Sequence, residues 1–119
     1  MSYVDGFVVP VPKKQVAAYR AMSKKAGKIW RELGALEYRE CVGDDLLTKG
    51  MASFPKLAKT KPSETVFFSW IVYKSKAHRN AVNKKVMKDP RILNMMDPKK
   101  PIFDWKRMAY GGFKTVVDV

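Results

Sequence analysis

Apolar and polar residues recur along this chain with two periods, and the switches between them mark its elements. The densest apolar run is Thr65 to Lys74, TVFFSWIVYK. Its alternation points Val66, Phe68, Trp70 and Val72 one way and Phe67, Ile71 and Tyr73 the other, leaving Ser69 and the flanks polar. A strand with one wet face needs a polar residue at every second position, so this strand is expected to be covered on both faces. Helices of the same chain can supply one cover. A second sheet, from this chain or from another copy of it, is the economical source of the other.

The remaining elements fall into order around that strand. Tyr3 to Val9 alternates as a strand, with Gly6 a point of bulging or close approach, and Pro10-Val11-Pro12 is expected to end its pairing. From Lys13 to about Leu33 the period becomes helical, with Val16, Tyr19, Met22, Ala26, Ile29, Trp30 and Leu33 on one face and Lys13, Arg20, Lys24, Lys28 and Arg31 opposite. Gly34 is placed to cap that helix. Ala35 to Val42 alternates Leu36, Tyr38 and Glu40 against Glu37, Arg39 and Cys41, as a half-exposed strand would. The stretch from Leu46 to Ser63 is irregular and carries Lys49, Lys56, Lys59 and Lys61. A loop of that length in a compact domain is functional or mobile.

Past the central strand, Ser75 is an N-cap for a second helix running to about Lys88. Ala81, Val82 and Val86, with His78 between them by angle, are expected inward, and Arg79, Asn83, Lys84 and Lys88 outward. Asp89-Pro90 ends it, and Arg91 to Met96 forms a short helical turn before Asp97-Pro98. Lys106 to Val117 reads as a last strand, with Gly111-Gly112 as a bulge signal. The order β-α-β-β-α-β predicts an α+β, ferredoxin-like subunit with a four-stranded antiparallel sheet, one domain over residues 1–119.

Composition adjusts this picture in one respect. With 24 Lys and Arg against 11 Asp and Glu, the chain carries +13. Such a charge attracts polyanions or acidic ligands, and it also serves solubility alone. A single cysteine, Cys41, cannot form an intrachain disulfide. The opening MSYVDGF lacks a basic region ahead of an apolar one, and no apolar run approaches the roughly 20 residues of a membrane helix. A cytoplasmic protein with no membrane partner is the expectation.

Candidate chemistry is sparse. One histidine and one cysteine cannot build the usual nitrogen and sulfur shells of a metal site, and no phosphate-binding glycine loop is present, so no metal or cofactor is expected. His78 is the side chain with a neutral-range pKa and the first candidate for proton transfer, against the plainer reading of a packed histidine bonded to backbone. Cys41 on an alternating strand reads as a small buried apolar residue. Asp5, Asp104 and Arg107 lie within or beside strands, where they form a structural ion pair or orient a ligand. Trp30, Trp70, Tyr73, Tyr110 and Phe113 serve as core or line an apolar cleft with polar tips. Asp5, Trp70, His78, Arg107 and Tyr110 are the candidate ligand-binding set.

Several runs together carry a resemblance: YVDGFVVPVP at the start, GALEYREC after the first helix, ETVFFSWIVYKSKAHRN in the middle, DPR at Asp89 to Arg91, and FDWKRMAYGGF near the end. Across essentially the whole chain the sequence resembles the YbaA-like family of small bacterial proteins of unknown function. The resemblance implies the dimeric α+β barrel superfamily, in which two ferredoxin-like subunits pack sheet on sheet and ligands lie between the sheet and helices of each subunit. It carries over no catalytic residue, because no catalytic set is established for this branch. The resulting expectation is a homodimer that binds a small anionic or aromatic molecule in the sheet–helix cleft. Sequence-independent RNA binding through the basic helix faces is the alternative, and a ligand-free interaction protein a third. KRMAYGGFKTV lacks the aromatic pattern of an RNA-recognition strand.

Overall fold

The structure, a computed structural model, describes residues 1–97 and 99–119. Strand β1 (Tyr3–Pro12) is followed by a short 3-10 turn and helix α1 (Val16–Glu32), then strand β2 (Glu37–Val42). A four-residue helix α2 (Phe54–Leu57) interrupts the long connection to strand β3 (Glu64–Tyr73). Helix α3 (Lys76–Val86), the short helix α4 (Pro90–Met95), a 3-10 turn (Trp105–Arg107) and strand β4 (Ala109–Lys114) complete the chain. Pro98, expected with Asp97 to end α4, lies outside the described residues. The sheet order is β2-β3-β1-β4 and every neighbouring pair is antiparallel, the ferredoxin-like arrangement.

Register assigns the two faces. Tyr3, Asp5, Phe7, Val9 and Val11 of β1 share the helix-covered face with Phe67, Ser69, Ile71 and Tyr73 of β3, Tyr38 and Glu40 of β2, and Tyr110 and Gly112 of β4. The opposite, outer face carries Val4, Val8, Phe68, Trp70, Val72, Cys41 and Phe113. Charged residues there include Glu37 and Arg39, which pair with each other at 3.4 Å, and Glu64 at the start of β3, which pairs with Arg107. Burial follows the helices. Ile29, Ile71, Tyr73, Val82, Val86 and Ile92 form one core cluster, and Val9, Val11, Tyr19 and Phe67 a second toward the other end of the sheet.

The helices start and stop where local chemistry dictates. Gly34, at φ 126°, ends α1, with its N–H bonded to Arg31 O at 3.2 Å and the Ala35 N–H to Trp30 O at 2.9 Å. That paired geometry needs a left-handed residue, which glycine adopts without a Cβ clash. The Ser75 hydroxyl accepts from the His78 N–H at 3.1 Å and starts α3, and the Asp89 carboxylate does the same for α4 with the Arg91 N–H at 2.9 Å.

Three expectations are corrected. The prolines do not end β1, since Pro10 pairs with Val66 and Pro12 with Glu64. Lys13 N–H donates across to Ser63 O at 2.9 Å, so odd-numbered residues of β1 turn their N–H toward β3 and even-numbered ones toward β4. Because β4 stops opposite Val8, Pro10 and Pro12 fall where no donor is required. Second, β4 runs through Gly111 and Gly112 in unbroken register, without a bulge. Gly112 is instead a clearance: a Cβ there would overlap the Tyr3 hydroxyl and lie 2.9 Å from the Arg79 guanidinium. Third, α3 turns Arg79 and Asn83 toward the sheet while Ala81 is exposed. The polar groups these side chains meet, described next, draw them inward.

Candidate functional site

Two carboxylates enter the helix-covered face of the sheet. Asp5, on β1, is 1% exposed. Its Oδ1 lies 3.6 Å from Arg79 Nε, and both atoms are buried without a hydrogen-bond partner among the described residues. Arg79 reaches this position from the first turn of α3, and its other nitrogens donate to the hydroxyls of Tyr3 at 3.2 Å and Tyr110 at 3.1 Å. Burial raises the Asp5 pKa against the lowering effect of Arg79 and of the Tyr110 and Asn83 side chains. Arg79 is held above its ordinary value by its Tyr3 hydrogen bond and the Asp5 charge, although desolvation opposes them.

Aromatic and amide groups connect this cluster to the core. Trp30 Nε1 donates to the Tyr73 hydroxyl at 3.2 Å, which donates to Asn83 Oδ1 at 3.2 Å. Tyr73 is fully buried, and desolvation pushes its phenol well above the usual range. On the other side the cluster opens. The helices lie over β1, β2 and β3, while Tyr110 on β4 is 50% exposed and stacks at a tilt 5.0 Å from Phe7. The result is a flank of the sheet without a covering helix, where Phe7 and Tyr110 lie beside the Arg79 guanidinium and the Asp5 carboxylate.

The second carboxylate is Glu40, on β2 beneath α1. Tyr19 donates to its Oε2 at 3.0 Å and Tyr38 to its Oε1 at 3.4 Å. Ser23 of α1 and Ser69 of β3 are buried beside it. Burial raises the Glu40 pKa despite these donors, and the two phenols are in turn pushed up by desolvation and by the Glu40 charge. Gly27 lets α1 descend here, because a Cβ at that position would lie 2.6 Å from the Tyr38 ring.

Of the five candidates from sequence, Asp5 and Tyr110 meet in the first cluster. His78 stands nearby with a structural bond: its Nδ1 accepts the Lys74 N–H at 3.0 Å, and its ring lies edge-on to Tyr73 at 5.9 Å. Trp70 is on the outer face, donating to Glu37 at 3.2 Å with Arg39 over its ring. Arg107 is remote from both, clasped to Glu64 at 2.7 and 2.9 Å and to Lys59 O at 2.7 Å, and it holds the Glu64 carboxyl below its ordinary pKa. Asp104 caps the 3-10 turn through Lys106 N–H, and Cys41 is half-buried on the outer side. Arg79, Tyr3, Asn83 and Glu40 were not singled out by sequence. The available signal was the acid at Asp5 inside a strand, which demands a cation from an element packed over it. Among the described residues no cluster of His, Cys, Asp and Glu could hold a metal ion, and no helix is long and apolar enough to cross a membrane.

Comparison with known proteins adds the family. The model of a family described as protein of unknown function, DUF1428, matches residues 2–105. The chain is 44% identical to the uncharacterized protein YbaA of Escherichia coli strain K12 over 118 residues, covering 99% of both. Among solved structures it resembles a mutant of SnoaB, a cofactor-independent oxygenase from Streptomyces nogalater, with TM-score 0.63 and 9% identity over 99% of this chain and 96% of that one. A putative antibiotic biosynthesis monooxygenase from Nitrosomonas europaea gives 0.59 and 13% over 97% and 90%. A dimeric ferredoxin-like protein from an uncultured marine organism gives 0.55 and 11% over the full length of both chains. At these identities the likeness is one of fold.

Proposed function

The chain belongs to the DUF1428 family of proteins of unknown function, and on that footing we propose that it acts as a homodimer that binds a small aromatic molecule, anionic or with a polar edge, between its sheet and its helices. The residues carrying this reading are Asp5, Arg79, Tyr3 and Tyr110, with Phe7 as the apolar floor. The single observation behind it is the pair of buried atoms without hydrogen-bond partners, Asp5 Oδ1 and Arg79 Nε, 3.6 Å apart beside the flank of the sheet along β4 that no helix covers. Buried polar atoms are rarely left without partners, and a bound molecule would supply what the chain does not. Aromatic walls with a few convergent polar groups are the general make-up of a small-molecule site. Asp5, its pKa raised by burial, is then the group able to exchange a proton with that molecule.

The dimer reading rests on the outer face. Phe68 at 44% and Phe113 at 62% exposure stand on a mainly apolar surface whose strand charges are paired, Glu37 with Arg39 and Glu64 with Arg107. A second copy is the cover that suits both, and the whole chain, 1–119, would be the folding unit of each subunit.

The test is a thermal-shift and calorimetric screen of the full chain with 1-naphthoate, 2-naphthol and their ring analogues. Saturable binding that raises the melting temperature is expected, weakened in Tyr110→Phe, which removes a hydroxyl that meets Arg79 and Asp5, and in Gly112→Ala, which crowds Tyr3 and Arg79. Absence of binding across the screen, or binding indifferent to both substitutions, overturns the ligand reading. Sedimentation as a monomer at micromolar concentration overturns the dimer.

A further inference from the structure

Exposed apolar side chains gather in two places away from the helix-covered core. One is the long connection between β2 and β3, where Leu47 is 78%, Met51 72% and Leu57 74% exposed. Its helix α2 sets the Phe54 ring edge-on to Phe68 at 5.9 Å, so the connection rises over the outer face of the sheet. Val66, on that face by its register with Pro10, is buried beside Leu46 and Phe54. The other place is residues 116–119, which belong to no strand. Thr115 is still tied to Ser2, its N–H donating to Ser2 O at 3.1 Å, but Val116 and Val117 beyond it are 78% and 74% exposed. Strand order and direction put the two places at opposite corners of the sheet, the first where β2 ends and β3 begins, the second past β4 beside the start of β1.

The outer face alone falls short of what a stable pair buries. Two strands of ten residues and two of six, at about 4.8 Å spacing and about 3.3 Å per residue, present a face of about 500 Å², whereas a standard interface covers about 800 Å² on each partner. The two corners can supply the difference, and their charges decide how. Lys49, Lys56, Lys59 and Lys61 of the connection make no ion pair among the described residues. Lys56 lines a concavity of about 310 Å³ with Ala52, Ser53 and Leu57, while the acids of the connection, Asp44 and Asp45, stand at its other end beside β2. Residues 116–119 carry one charge, Asp118. A pair that set connection against connection would oppose like lysines, and one that set the valines together would leave the connection bare. A twofold axis between the sheets, along the diagonal that joins the other two corners, brings each corner of one copy onto the opposite corner of its mate. The strands then cross near right angles, one of the two standard packings of sheet on sheet. We infer, resting on the homodimer proposed above, that residues 116–119 of each copy lie on the α2 connection of the other, Val116 and Val117 against Met51 and Leu57, and Asp118 toward Lys56.

Chemical cross-linking of the full chain tests this, with Cys41→Ser removing the native thiol. Leu57→Cys is made in one preparation and Val117→Cys in another, and a short bismaleimide linker is added to each alone and to an equilibrated mixture of the two. Covalent dimers are expected in the mixture and not in either preparation alone. Sedimentation across a dilution series reads the strength of the contact. Val116→Ser with Val117→Ser should weaken association about tenfold. Asp118→Lys should weaken it about threefold, the size of an exposed ion pair, and Lys56→Asp added to Asp118→Lys should recover that loss. A parent chain that sediments as a monomer overturns the homodimer and this docking with it. A parent that dimerises overturns the docking alone in any of four cases: the mixture gives no covalent dimers, either preparation by itself gives as many, replacing the valines leaves association unchanged, or the exchange of charges recovers nothing.

Discussion

Asp5 and Glu40 lie on the same face of the same sheet, Asp5 buried and Glu40 half-buried, and burial raises the pKa of both. Their surroundings differ. Glu40 is closed over by α1, and each of its oxygens accepts a phenolic hydrogen bond. Asp5 has a cation at 3.6 Å, an oxygen without a donor and an open flank along β4. A satisfied carboxylate at a helix–sheet contact ties two layers together and specifies one packing. An unsatisfied one at an open flank is a reservoir of unused binding energy. The contrast separates an acid whose oxygens are both satisfied from one whose oxygen lacks a donor, although both look alike as isolated acids within strands.

The largest effect expected from breaking this contrast is at Arg79. Arg79→Ala leaves Asp5 buried without its cation and should cost about 3 kcal/mol, the lower range for breaking a buried pair, because Asp5 can take up a proton instead. Urea unfolding of Arg79→Ala, Asp5→Ala and the double variant measures the coupling. A double variant as unstable as the sum of the singles would deny that the two groups interact. Next is the outer face, where Phe113→Asp should weaken dimerisation by about 2 kcal/mol, roughly thirtyfold, as for an aromatic anchor at an interface. Sedimentation across a dilution series checks it, and an unchanged association constant removes Phe113 from the interface. Tyr19→Phe should cost about 1–2 kcal/mol for the lost Glu40 bond, with ligand binding beside Asp5 unaltered.

The smallest effect is a slope with pH. An acid whose folded pKa is raised binds its proton more strongly in the native state than in the unfolded chain. Its favourable contribution is therefore present below the unfolded value, about 4, and is lost as the pH rises through the folded value. Urea midpoints should decline over that interval. Glu40→Gln, which cannot ionise, should flatten part of the decline, and a slope identical to that of the parent would show that Glu40 titrates normally.

Much of the fold could be read from the chain because its apolar periods are strong. The two-sided character of β3, the inward set of α1 and the caps Gly34 and Ser75 were legible residue by residue. The site was legible only in part. Asp5 and Tyr110 announced themselves as polar tips within strands, but Arg79 sits on a lysine-rich helix where angle alone places it outside. What turns it inward is a buried carboxylate on a different element, and that pairing is a property of the tertiary arrangement. Trp70 and Arg107 were drawn into the candidate set by chemistry alone. Register sends Trp70 to the far face, and the Glu64 carboxylate ties Arg107 to the start of β3. Gly111-Gly112 carried a bulge signal because glycine in a strand has several uses, and only the position of Tyr3 and Arg79 shows that clearance is the one in play.

The prolines of β1 have a consequence for assembly. Beyond Val8 that strand pairs with no strand on its β4 side, and an unpaired edge usually invites lateral growth by recruiting a foreign strand. Here Pro10 and Pro12 occupy the two positions whose amides would have pointed outward, so an incoming strand finds no hydrogen to accept. The segment before β4 also packs over this part of β1, with Ile102, Phe103 and Met108 against the Val9 and Val11 cluster and Pro10 fully buried, so copies of this chain that meet there must do so through side chains rather than by extending the ladder.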